Sequence, residues 1–272
     1  MNYPDPPLEY LHYSSSKIEL VTANIMTETS VTLMVNGSYW LTFMCTPKEQ
    51  EDLAVGFLYN ENIIHSLNEI ENMHLCDKGD MVDIWLDHPV SPPTRWQRTS
   101  GCTGGFTSSS TEDEIEGEIS LPAPILNHSQ FDPEKVLSLL KDMYQMQELY
   151  SQMRGVHCSA LSDGEKLLIV SEDIGRHNTL DKISGKLLRS GLSVSHPILL
   201  TTGRISSEMA IKSGQVKAEI VVSRTSPSSR AVRYADQMQI TIIGYASYGK
   251  FNLYTHPDRL GFRQFQKVGQ MD

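Results

Sequence analysis

Residues 197–224 read "PILLTTGRISSEMAIKSGQVKAEIVVSR", and this stretch decides the fold. A short aliphatic run at 197–202 leads into a helical pattern over 205–213, and a second aliphatic run occupies 218–224. Two such runs separated by a helix are the pattern of a βαβ unit, whose parallel strands need a crossover helix between them. The pattern continues outward. "LLIVSE" at 167–172 precedes a helical stretch at 177–190, and "ITIIGYAS" at 240–247 follows another at 228–238. These alternations predict an α/β class fold with a largely parallel sheet and helices on its faces. "GVHCSAL", 155–161, adds a further strand beginning near His157.

The loops that follow the four strands read "EDIGRHNTLDK", "TTGRISSEM", "SRTSPSSR" and "YASYGKFN". Arg176, Arg204, Arg224 and Lys250 thus each stand just past the carboxyl end of a strand, the edge where open α/β sheets bind ligands. Three of these loops enter helix N-termini, whose free N–H groups favour anions. Gly175 and Gly203 let backbone approach a ligand closely. Any one of these arginines has a competing explanation in a nearby carboxylate such as Asp173, Asp181 or Glu208. Recurrence at equivalent places favours a shared anionic, phosphorylated ligand, for which the planar guanidinium is suited. His177, in the first turn of its helix, reads equally as a ligand donor or a local cap. His157 reads as a core or interface histidine.

The first half has a different character. In "IELVTANIMTETSVTLMVNGSYWLTFMC", residues 18–45, apolar residues alternate on both sides of Asn36-Gly37, the strongest short hairpin signal. "TPKEQEDLAVGFLYNENII" follows as a helix with Thr46 as N-cap, Pro47 at its first position and Glu49 completing a capping box. "IENMHLCDKGDMVDIWL" reads as a second hairpin with Lys78-Gly79 at its tip. A long amphipathic helix is expected from Pro133 to Met153. The proline-containing segment around 122–132 marks the expected boundary between a smaller β-rich N-terminal domain, 1–125, and an α/β domain, 126–272.

A net charge of −10 and the lack of any Lys/Arg-rich run argue against nucleic-acid binding. No apolar run is long enough to span a bilayer. Residues 1–16 are polar and proline-containing, unlike a signal peptide, so a cytoplasmic location is the expectation. Cys45, Cys76, Cys102 and Cys158 have no short metal spacing, and free thiols are expected. No metal site is expected: the zinc deaminase signature is absent, as are the Walker A and G-x-G-x-x-G motifs.

One cysteine stands apart. In "RTSGCTGGF", 98–106, Cys102 has only Thr, Ser and Gly for three positions on either side. A structural cysteine is usually packed as a small hydrophobe, and this setting offers nothing to pack against. Cys45, Cys76 and Cys158 lie in apolar strand patterns and read as structural.

"EDIGRHNTLDKISG", together with "EDLAVGFLYNENII", "GRISSEMAIK", "VVSRTSPSSRAV" and "FNLYTHPDRL", resembles the formate dehydrogenase accessory sulfurtransferase family (FdhD/NarQ). The resemblance runs from about Val21 to Leu260 with the motifs in the same order. It implies that Cys102 accepts sulfur as a persulfide from a cysteine desulfurase. The sulfur then passes to the molybdenum (or tungsten) bis-guanine-dinucleotide cofactor of formate dehydrogenase, with GDP as an analogue of its nucleotide arms. It further implies a C-terminal three-layer α/β/α domain of the cytidine-deaminase-like type, a homodimer, and a cofactor-binding hexapeptide at Tyr245, Ala246, Ser247, Tyr248, Gly249 and Lys250. Arg176, His177, Gly203, Arg204, Ser223 and Arg224 complete the expected cofactor-binding set. Two positions depart from the family pattern. Gly105 stands where a C-x-x-C would place its second thiol, and Ser247 where the hexapeptide usually has arginine. The competing function is a non-catalytic carrier that delivers the cofactor to the apo-enzyme. A nucleotide hydrolase is disfavoured, because no metal triad or nucleophile–base pair stands out.

Overall fold

The structure, a computed structural model, describes residues 6–92, 95–98, 106–109, 120–126 and 129–262. The first half contributes strands β1 (Leu8–Ser14), β2 (Lys17–Ala23), β3 (Thr29–Val35) and β4 (Ser38–Cys45), then helix α1 (Gln50–Asn60). Strands β5 (Ile70–Leu75), β6 (Met81–Leu86), β7 (Arg95–Arg98) and β8 (Phe106–Ser109) follow. Helices α2 (Pro133–Gln145) and α3 (Glu148–Met153) lead to strands β9 (His157–Ser162) and β10 (Leu167–Asp173) and helix α4 (Arg176–Ser190). The chain closes with β11 (Ile198–Thr201), α5 (Ser207–Gln215), β12 (Ile220–Ser223), α6 (Ser229–Gln237), β13 (Thr241–Ser247) and β14 (Lys250–Leu253).

Contacts divide the chain into two units that interleave in sequence. The first comprises Met1–Ser110, Gln147–His157 and Glu172–Gly185; the second Thr111–Met146, Cys158–Ser171 and Lys186–Asp272.

In the first unit a four-stranded sheet has the order β4-β3-β6-β5. The β3–β4 turn is Asn36-Gly37 with φ of 48° and 73°, the doubly left-handed geometry that Asn-Gly supplies. Alternation along β3 and β6 buries Val31, Leu33, Val35, Val82, Ile84 and Leu86. Helix α1 buries Leu53, Ala54, Phe57 and Leu58, and the Phe57 ring meets Phe43 edge-on at 5.2 Å. Helices α1 and α4 touch backbone to backbone. A Cβ added to Gly56 would stand 1.7 Å from the Asp181 carbonyl oxygen, and one on Gly185 would stand 2.0 Å from that of Asp52.

Helix α1 begins later than its sequence signals suggest. Its N-cap is Glu49, in a left-handed conformation and without a side-chain cap. Thr46 is drawn elsewhere: its hydroxyl donates to Asp173 Oδ2 at 2.9 Å and accepts from Lys182 Nζ at 3.0 Å. A buried charge pair outcompetes the local capping box. The helix expected over Pro133–Met153 is also two helices. Leu149 and Tyr150 donate their N–H groups to the two oxygens of Glu172, at 2.8 and 2.9 Å, so a carboxylate satisfies the new N-terminus that opens at Glu148.

The second unit is built on a six-stranded sheet of order β10-β9-β11-β12-β13-β14. The sheet is less parallel than the sequence predicts: β11–β12 and β12–β13 pair in parallel, while β9 and β14 run antiparallel to their neighbours β11 and β13. A short turn joins β14 to β13, which removes the crossover that parallel pairing requires. Helix α2 lays Val136, Leu139, Leu140 and Met143 on one face of the sheet, against Cys158, Ala160, Leu200, Val222 and Ile243. Helices α5 and α6 are the crossovers of β11–α5–β12–α6–β13, giving a three-layer α/β/α arrangement. At the amino ends of the central strands the buried Arg259 guanidinium donates to the carbonyls of Ile125, Glu219 and Gln239. Burial lowers its pKa, against the opposing pull of Glu219.

Candidate functional site

The parallel strands β11, β12 and β13 bring their carboxyl ends to one edge of the second unit, and the loops there are tied to one another. Ser223 Oγ donates to the Gly203 carbonyl at 2.7 Å and accepts from Thr225 N at 3.0 Å. Tyr245 N donates to the Thr225 carbonyl at 3.0 Å, and Ile205 N to that of Ser226 at 3.2 Å. The two helices that leave this edge start alike. Ser206 caps α5 by accepting from Met209 N, and Ser228 caps α6 by accepting from Ala231 N. "GRISSEM" and "SRTSPSSR" are thus two versions of one loop, each with an arginine, Arg204 or Arg224, just past its strand.

The third strand end is shaped by a β-bulge. Register between β13 and β14 shifts between Gly244 and Ser247, and Tyr245 takes a φ of 53°, a costly conformation for a residue with a Cβ. The bulge buries Ala246, leaves Ser247 half-buried and projects Tyr248, which is 93% exposed. Gly249, with φ 66°, completes the tip that Ser247 and Lys250 close as a pair.

Between this strand end and α2 lies a cavity of about 700 Å³. Ala246, Ser247, Tyr248 and Gly249 line one side together with Arg224; Glu134, Leu137, Lys141 and Tyr144 line the other. Leu137, Lys141 and Tyr144 fall on one helical face by their spacing. The Arg224 guanidinium lies over the Tyr144 ring, 5.9 Å from its centroid, within the range of a cation–π contact. Volume and lining suit a nucleotide-sized ligand: apolar side chains, the exposed ring of Tyr248, and one cation on each side, Arg224 and Lys141.

The remaining expected residues are placed as follows. Arg204 and Lys250 are exposed and stand outside the lining of this cavity. Gly203 and Ser223 are buried supports of the loops rather than lining residues. Arg176 and His177 belong to the first unit, each 2% exposed in the first turn of α4. That turn is held by Asp173, which accepts from Gly175 N and from the Asn178 amide at 2.8 Å each. Asp173 also takes the ammonium of Lys182 at 2.6 Å, both side chains being fully buried.

Among the described cysteines, Cys45 and Cys158 are buried. Burial, followed by the negative charge of Asp173, pushes the Cys45 thiol up to about 12, so it is not a nucleophile at neutral pH. Cys76 is half-buried and donates to Asp80 Oδ1 at 2.9 Å. Cys102 lies outside the described residues, in the connection between β7 and β8, which pair antiparallel with Arg98 opposite Phe106. Among the described residues no group of three His, Cys, Asp or Glu side chains could hold a metal ion.

Sequence reading missed the contribution of α2, although its i, i+4, i+7 pattern of Leu137, Lys141 and Tyr144 marks one face. It also missed the network of Thr46, Asp173 and Lys182. Its members are 127 and 136 residues from Thr46, and no local signal joins them.

The FdhD/NarQ family model matches residues 26–261. A sulfur carrier protein FdhD from Bacillus subtilis is 34% identical over 91% of this chain and 94% of its own. That of Staphylococcus haemolyticus is 29% identical over 92% and 94%. A crystal structure assigned to a formate dehydrogenase accessory protein from Desulfotalea psychrophila shares the fold. Its TM-score is 0.76 at 22% identity, over 93% of this chain and 98% of that one. By the span of this match and the order of its motifs, the chain belongs to the FdhD/NarQ family.

Proposed function

We propose that the protein is a sulfur carrier of formate dehydrogenase maturation. In this reading Cys102 receives sulfur from a cysteine desulfurase and passes it to a molybdenum (or tungsten) bis-guanine-dinucleotide held at the carboxyl edge of β11–β13. The observation that carries the reading is the cavity that Arg224, its guanidinium over the Tyr144 ring, lines together with the hexapeptide residues Ala246–Gly249. The ligand is substrate, not a resident cofactor. Arg224 and Lys141 are suited to its phosphates, the α6 N-terminus behind Ser228 adds partial positive charge, and the exposed ring of Tyr248 can lie against a base.

Sulfur uptake is an exchange at sulfur. The Cys102 thiolate attacks the terminal sulfur of the desulfurase persulfide, the S–S bond breaks, and the electron pair leaves on the desulfurase cysteine as thiolate. Cys102 is then the persulfide. An ordinary thiol with pKa near ~8.5 is about a tenth thiolate at pH 7.5, enough for a step of this kind. Of the described cysteines, none is an exposed thiol free of structural contacts, which supports the assignment of the role to Cys102.

Two nucleotide arms on one ligand fit a homodimer with one cavity per subunit, and the expected setting is the cytoplasm, beside the desulfurase and the client formate dehydrogenase. The structure has no helix long and apolar enough to cross a membrane among its described residues. The test is incubation with a desulfurase and cysteine, followed by mass spectrometry. Gain of one sulfur atom by the wild type and none by Cys102→Ser is expected, with GDP bound equally by both. Cofactor or GDP binding without sulfur uptake by the wild type would replace this reading with that of a non-catalytic carrier.

A further inference from the structure

Two apolar surfaces of the first unit face solvent. One is a face of the β1–β2 ribbon. Leu11 pairs with Leu20 and Tyr13 with Ile18, and directly opposed residues share a face. These four side chains are 65–69% exposed, and every residue of β1 is exposed. A two-stranded ribbon alone is marginally stable in water, and a contiguous apolar patch of this kind marks an interaction surface.

The second surface is the open face of the β4-β3-β6-β5 sheet. Alternation along β6 sends Val82, Ile84 and Leu86 inward and Met81, Asp83 and Trp85 outward. Tyr39 joins them, its hydroxyl meeting Thr42 on the same strand. Tyr39, Met81 and Trp85 remain 59%, 36% and 45% exposed, while Phe43 and α1 occupy the opposite face.

We propose that two copies of this chain exchange their ribbons. The Leu11, Tyr13, Ile18 and Leu20 face of one copy lies on the Tyr39, Met81 and Trp85 face of the other, and reciprocally. The inference rests on the dimer reading above and adds the surfaces through which the copies meet.

Three arguments select a second copy as the occupant. Both surfaces belong to one chain and both are open in it, so a second copy offers each of them an apolar complement. Reciprocal exchange about a two-fold axis closes the assembly, because each copy gives one ribbon and receives one. Area decides between one contact and two. One face of a two-stranded ribbon of this length is roughly 240 Å² from strand rise and spacing. A partner receiving a single ribbon would bury about 500 Å² in total, below the ~1,000 Å² of a specific interface, whereas reciprocal exchange reaches it. The ribbon quartet carries no charge, so it brings no carboxylate against Asp83, whose Oδ2 already accepts from Trp85 Nε1 at 3.1 Å.

The test is sedimentation velocity of the full chain at micromolar concentration. A dimer is expected for the wild type. Monomers are expected for Leu11→Asp combined with Leu20→Glu, on the ribbon, and for Trp85→Glu, on the sheet. Unchanged circular dichroism and GDP affinity would show that both variants still fold. A wild-type monomer would remove the dimer itself. A dimer that survives either variant would overturn the ribbon-on-sheet contact while leaving the dimer standing. Ribbon variants that stay dimeric but no longer take sulfur from a desulfurase would assign the ribbon to that partner instead.

Discussion

Arg224, one residue beyond β12, places its guanidinium over the ring of Tyr144 on α2, 5.9 Å from the centroid. The pair joins the sheet's carboxyl edge to the helix that covers it, and both members line the same cavity. The arginine, itself exposed, is thereby held beside the hexapeptide residues that line the cavity with it.

If this pair holds phosphate, Arg224→Ala should weaken GDP binding at least tenfold, since charge-assisted hydrogen bonds contribute roughly 1.5–3 kcal/mol each. Arg224→Lys should recover only part, because an ammonium keeps the charge but loses the planar fork and the stacking. Isothermal titration calorimetry reads both. Wild-type affinity in Arg224→Ala would mean that GDP binds elsewhere.

The Lys182–Asp173 pair should be a stability determinant. Both side chains are fully buried, and removing one partner of such a pair leaves an uncompensated charge at a cost of ~3–5 kcal/mol. Lys182→Met should lower the urea midpoint accordingly, and adding Asp173→Asn should return part of the loss. A change under about 1 kcal/mol for Lys182→Met would show that the pair is not doing this work.

Cys45 should resist alkylation by iodoacetamide at pH 8 until urea unfolds the protein. Its folded pKa of about 12 lies above the ~8.5 of an unfolded thiol. The folded state therefore holds this proton more tightly. The stability linked to it is fully present below the unfolded pKa and is lost as pH rises toward the folded one. Wild-type stability should fall between pH 9 and 11 by more than that of Cys45→Ala. Parallel curves for the two proteins would contradict the assignment.

Gly56→Ala should disrupt the α1–α4 contact. Its new Cβ would stand 1.7 Å from a backbone oxygen, which no rotamer change can relieve. Overpacking ordinarily costs ~1–3 kcal/mol, and a backbone clash belongs at or above the top of that range. Ser190→Ala, at the exposed end of the same helix α4, should be near neutral. Equal melting temperatures for Gly56→Ala and wild type would mean that the helices are not this close.

Much of this architecture was legible because it is local. Period-two alternation around Asn36-Gly37, and aliphatic runs alternating with capped helices after residue 197, dictate their elements through backbone geometry and side-chain burial alone. The loops "GRISSEM" and "SRTSPSSR" could likewise be placed at strand ends, because chain order and the parallel crossover leave them nowhere else. The motifs identified the family on the same footing.

What only the tertiary structure decided involves partners far apart in sequence. Thr46 gave up an expected capping role because Asp173 and Lys182, both fully buried, bind its hydroxyl more strongly than a solvated helix end does. The helix expected through Met153 broke because Glu172 offers a carboxylate to a second N-terminus. Of the four cations read at strand ends, Arg224 lines the cavity, Arg204 and Lys250 stand outside its lining, and Arg176 lies buried in the first unit. Secondary structure follows from the period of the chain. The company a charged group keeps depends on which distant segments share its low-dielectric surroundings, and that is set only when the chain has folded.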